Sequence, residues 1–115
     1  AMAMAKEKIA KVEKACGTKG LKTNYSLKGW KKPTEGCARS TVEDALMGLE
    51  YACKDADYRE EIAKLKKVNF VVDASGKMKK HAFKAKGKSM TITLAQCYLI
   101  NDGREMAKLI HANYE

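Results

Sequence analysis

"VNFVVDASGKMKKHAFKAKGKSMTITL", residues 68–94, decides the fold class, because in this stretch the apolar period shortens from that of a helix to that of a strand. "VNFVVD" is rich in β-branched and aromatic residues and stops at "ASGK", where Gly76 suits a hairpin turn. "MKKHAFKAK" reads as a second strand, Gly87 as a tight turn and "SMTITL" as a third strand, with Met90, Ile92 and Leu94 on one side and Thr91 and Thr93 on the other. The expectation is a three-stranded antiparallel meander from Val68 to Leu94.

Upstream, the apolar spacing is helical. Ile9, Val12 and Cys16 recur at i, i+3 and i+7, so a short helix from Lys6 ends at Gly17. "STVE" has the form of a capping box at Ser40 and Glu43, followed by the stripe Val42, Ala45, Leu46, Leu49 and Cys53, giving a helix from about Thr41 to Lys54. "DYRE" repeats the signature at Asp57 and Glu60, and Tyr58, Ile62 and Leu65 carry a third helix to about Lys67. Between the first two helices, "GTKGLKTNYSLKGWKKPTEGC", residues 17–37, holds no period and reads as a long loop. Downstream, "AQCYLI" fits either a strand extension or a helix start. Asp102 suits an N-cap for a last helix whose inner stripe is Met106, Leu109 and Ile110.

Helices and strands are thus segregated, which makes the class α+β: three short N-terminal helices, the meander and a C-terminal helix. At 115 residues the chain is one domain, residues 6–115, with residues 1–5 expected to be tag or signal-junction residues. No stretch approaches 18 consecutive apolar residues, so no membrane span is expected.

Cys16, Cys37, Cys53 and Cys97 are even in number, form no C-x-x-C pair and have no histidine at zinc-ligand spacing. Two disulfides in a secreted or periplasmic protein, its signal peptide removed, is the favoured reading, with free thiols in a cytoplasmic protein the alternative. A helix from Thr41 to Cys53 is about 18 Å long, which sets Cys37 too far from Cys53 to be bridged. Of the remaining pairings, Cys16–Cys37 with Cys53–Cys97 is preferred because the first bridge would tie down the long loop. Cys16–Cys53 with Cys37–Cys97 stays open.

The formal charge is +9, and it is unevenly placed: residues 6–39 carry a net +7 and residues 41–61 a net −5. Such a balance favours an anionic polymer, an anionic lipid surface or an acidic protein as partner. Alternation along the second strand sets Lys80, Lys84, Lys86 and Lys88 on the face opposite Phe83, as a ribbon of positive potential. Lysines also protect exposed strands from edge pairing, which explains the pattern without any ligand. In the loop, Lys22, Lys28, Lys31 and Lys32 alternate with Tyr25 and Trp30, and Trp30 either stacks on a ligand or plugs the loop onto the core.

Chemistry-bearing motifs are few. His81 and His111 are the only histidines, and a two-histidine ribonuclease would need both in one cleft beside a lysine. Cys97 with His111 is the one conceivable thiolate pair, and the acids at Asp55, Asp57, Glu60 and Glu61 are explained by a helix start. Neither "DASGK" nor "NDG" has the spacing of a phosphate-binding loop, and no metal site or cofactor is expected. The expectation is a small, non-enzymatic binding module for an anionic or acidic partner. The alternatives are a small ribonuclease-like hydrolase and an interaction or inhibitor domain that offers its acidic helix, Glu43 to Glu61, to a basic partner.

Overall fold

The computed structural model describes residues 5–26, 35–73, 75, 77–78, 80–95 and 103–112. They form four helices and a four-stranded sheet: α1 (Ala5–Cys16), β1 (Lys22–Ser26), α2 (Glu35–Ala52), α3 (Ala56–Ala63), β2 (Lys67–Val72), β3 (Ala82–Lys86), β4 (Ser89–Leu94) and α4 (Gly103–His111). The α+β class stands, but the sheet is not a meander. Its order is β1-β2-β4-β3, with β1 parallel to β2, β2 parallel to β4, and only β3 and β4 antiparallel.

Two local causes produce this arrangement. Gly87, at φ +60, closes a two-residue loop that makes β3 and β4 a hairpin, with Lys86 opposite Ser89. After β2 no such hairpin forms: the Asp73 carboxylate accepts from the Ser75 amide (3.0 Å), the Ser75 hydroxyl (2.6 Å) and the Met78 amide (2.8 Å), winding the chain into a local polar turn. The chain then reaches the far side of the position that β4 fills. The long loop also gives up a strand, because "KTNYS" pairs in parallel with β2 across a crossover containing α2 and α3.

One face of the sheet carries Val68, Phe70, Phe83, Met90, Ile92 and Leu94, all buried, and Tyr25 of β1 stacks on Phe70 with ring centroids 5.2 Å apart. The helices cover this face. α2 contributes Val42, Ala45, Leu46 and Leu49, and α4 contributes Met106, Ala107 and Ile110. These two helices touch closely, for a Cβ on Gly48 would lie 2.5 Å from Cγ of Met106.

Helix limits also differ from those read from the caps. α2 begins at Glu35, so Ser40 lies inside it instead of capping it. The cap of α3 is Asp55, whose side chain accepts from the Asp57 amide at 2.9 Å, and α3 stops at Ala63 so that Lys67 can open β2.

The early start of α2 also corrects the cysteine pairing. Cys37 sits in its first turns and Cys53 just past its end, about 24 Å apart along the axis. Cys16, at the end of α1, meets Cys53 instead, with Cα atoms 5.1 Å apart. The preferred Cys16–Cys37 and Cys53–Cys97 bridges are therefore excluded. The side chain of Cys37 and all of Cys97 lie outside the described residues, as do the Asp102 cap and "AQCYLI".

Candidate functional site

Among the described residues no helix covers the other face of the sheet. Strand alternation brings three rows of side chains to it, in register across all four strands: Lys22, Lys67, Ser89 and Lys86; then Asn24, Asn69, Thr91 and Lys84; then Ser26, Val71, Thr93 and Ala82. None of these twelve residues is buried, whereas the side chains between them face the core. Four strands at a spacing of about 4.8 Å make the face about 14 Å wide.

Its charge is of one sign. Lys22, Lys67, Lys84 and Lys86 are exposed on it, and backbone hydrogen bonds from Lys22 N to Lys66 O (3.0 Å) and from Lys66 N to Lys88 O (2.7 Å) hold two further exposed lysines at the same end. No carboxylate shares the three rows. Among the described residues the ion pairs made by lysines are Lys64–Glu61 at 3.2 Å and Lys108–Glu105 at 3.1 Å, both on helices. Lys84 and Lys86 stand about 6.6 Å apart on β3, inside the Debye length of about 8 Å at physiological salt, so their fields add. Between the lysines lie neutral donors and acceptors, with the Asn24 amide nitrogen 3.1 Å from the Asn69 side-chain oxygen.

The residues singled out from sequence separate into three groups. Lys84 and Lys86 project from β3 opposite the buried Phe83, Lys88 is exposed in the adjoining turn, and Lys80 is exposed ahead of β3 without entering the ladder. Lys28, Trp30, Lys31 and Lys32 lie outside the described residues. Lys67 was missed and Lys22 was read as a loop residue, because their places on this face follow from a parallel pairing between segments more than forty residues apart. The one local signal was the alternation Lys22, Asn24, Ser26 against Thr23 and Tyr25.

The histidines are not brought together. His81 is 2% exposed, wedged between α2 and the end of β4. Its Nδ1 accepts the Ala95 N–H at 3.1 Å, which leaves the proton on Nε2, 3.3 Å from Oδ2 of the buried Asp44. The His111 ring stacks on Tyr58 with centroids 3.7 Å apart, and its Nε2 lies 3.3 Å from the Ala52 carbonyl oxygen. The two rings thus meet α2 at positions eight residues, about 12 Å, apart. Both are engaged in joining elements.

A second concentration of cations lines a groove of about 500 Å³ beside the disulfide, where Lys11, Lys14, Lys54 and Arg59 face a single carboxylate, Glu50. Here α1 and α2 both end, and their terminal carbonyls attract positive charge. Arg59 Nε donates to the Cys53 carbonyl at 2.8 Å, so the cluster answers the helix ends. Among the described residues no three metal-ligating side chains converge, and no helix is long and apolar enough to cross a membrane.

No family model, no curated protein and no solved structure matches this chain.

Proposed function

We propose that the protein is a non-enzymatic binding module that receives an anionic partner on the bare face of its sheet. One observation carries this reading: a solvent-facing ladder that gathers Lys22, Lys67, Lys84 and Lys86 from three of its four strands and has no acid in its three rows. Lysines placed only to prevent edge pairing would be needed on the edge strands β1 and β3. Lys67 is on the interior strand β2, directly opposite Lys22, where like charges oppose each other at a cost to stability.

The proposed working compartment is oxidising, outside the cytoplasm. The Cys16–Cys53 bridge supports it, since such bonds persist in secreted and periplasmic proteins. With those two joined, the second bridge in this reading is Cys37–Cys97. The native chain should then bind no alkylating reagent before reduction and four equivalents after it.

The binding test is retention on immobilised heparin at low salt, where exposed electrostatics are strongest. The native chain should be retained and should elute as salt rises, and a variant carrying Lys67→Glu, Lys84→Glu and Lys86→Glu should pass through. Equal retention of the two proteins, or no binding to heparin, RNA or anionic vesicles at low salt, would overturn the proposal.

A further inference from the structure

We infer that the occupant of the sheet face is an acidic polysaccharide, a chain bearing sulfate or carboxylate groups among free hydroxyls. This rests on the reading of the face as anion-binding and goes beyond it by specifying the partner from three features.

First, every described cation on the face is a lysine. An ammonium is a point charge with rotatable donors and suits sulfates or carboxylates presented at variable angles. The guanidinium fork, which matches carboxylate and phosphate alike in a bidentate manner, is absent from the three rows, so the contacts are those of point charges. Second, no aromatic ring stands among these rows. Tyr25, Phe70 and Phe83 all point to the core side, with Phe70 and Phe83 buried and Tyr25 stacked on Phe70. Single-stranded nucleic acids are gripped by stacking bases on such rings, so that contribution is missing.

Third, much of the face is polar and uncharged. Asn24, Asn69, Thr91, Thr93, Ser26 and Ser89 occupy half of the twelve ladder positions. The Asn24 and Asn69 amides lie 3.1 Å apart, and with the Asn24 amide turned its oxygen accepts from the Lys67 ammonium at 3.2 Å, so amide and cation stand within reach of one ligand. A lipid headgroup surface would need only the lysines, and the ladder offers it just Val71 and Ala82 as apolar contacts. Sugar hydroxyls are the ligand groups that would use amides and hydroxyls laid beside cations.

Calorimetric titration of the native chain with a heparin-derived octasaccharide, a single-stranded RNA octamer and phosphatidylserine vesicles tests this. Two variants are needed: Lys67→Gln with Lys84→Gln, and Asn69→Ala with Thr91→Ala, each checked for folding by thermal melting. The lysine variant should weaken the octasaccharide by about tenfold or more at low salt. The neutral variant should weaken it by about three- to tenfold, as expected for lost hydrogen bonds, and should leave RNA and vesicles unchanged. If the neutral variant binds the octasaccharide like the native chain, or if RNA or vesicles bind more tightly, the polysaccharide assignment is wrong while the anion-binding face survives. If the lysine variant binds all three probes undiminished, both readings fall.

Discussion

His81 shows how a single buried polar side chain fixes the register between layers. Its ring takes the first amide past β4 with one nitrogen and meets an α2 carboxylate with the other, so sheet and helix are held at one spot. His81→Ala would leave the Ala95 N–H buried without its acceptor and would remove a partner of Asp44. A loss of about 3 kcal/mol in denaturant unfolding is expected. His81→Ala with Asp44→Ala should cost less than the sum of the two single changes, because they share one interaction. Additive losses would show that the pair is not coupled. Asp73 acts at the surface. The Ser75 hydroxyl, then the Met78 amide, hold its carboxyl below the ordinary value of 3.8. Since the folded value is the lower one, this stabilisation is complete above the ordinary value and disappears as pH falls through the folded value. Asp73→Asn should therefore flatten the acid limb of the stability profile below about pH 4, and superimposable profiles would remove Asp73 from the account.

At the scale of elements, α2 is clasped from both sides. Against α4 its Gly48 leaves no room for a methyl group beside Met106, so Gly48→Ala should lower stability by about 1–3 kcal/mol despite the better helix propensity of alanine. A rise in melting temperature would mean that Met106 moves aside freely. Against α1 the Cys16–Cys53 bridge closes a separation of 37 residues, worth about 4 kcal/mol in the chain-entropy account. Cys16→Ser with Cys53→Ser should lower the unfolding free energy by that order, and an unchanged melting temperature would show that helix packing alone holds α1. Long helices were the most legible elements, because the stripe from Val42 to Leu49 repeats often enough to give both type and buried face. The inward turn of Phe83 and the outward turn of Lys84 and Lys86 were also legible from alternation. β1 was not, since "KTNYS" has one aromatic and no aliphatic residue, and its strand state comes from β2. The start of α2 was obscured by a capping signature six residues inside the helix, where Ser40 is exposed.

The whole molecule is two-sided. Among the described residues, helices and core lie on one side of the sheet and an uncovered cationic ladder on the other. This sidedness was half visible in the sequence, through the uneven charge of its segments. Lys22 and Lys67 became neighbours only through a long-range parallel pairing that no local pattern encodes. Crowding lysines at one end of the sheet opposes folding by mutual repulsion. Lys67→Gln should consequently leave stability unchanged or raise it by up to about 0.5 kcal/mol while weakening polyanion binding. A clear loss of stability would mean instead that Lys67 is there for the fold.

The strand order sets a timetable for synthesis. β2 lies between β1 and β4, yet β4, Ser89–Leu94, is made last of the four described strands. While the chain emerges from a ribosome, Val68 and Phe70 must wait with one flank open until Ser89–Leu94 has followed them out. A nascent chain stalled before Ser89 would carry an apolar strand with a vacant edge, the form in which polypeptides adhere to one another.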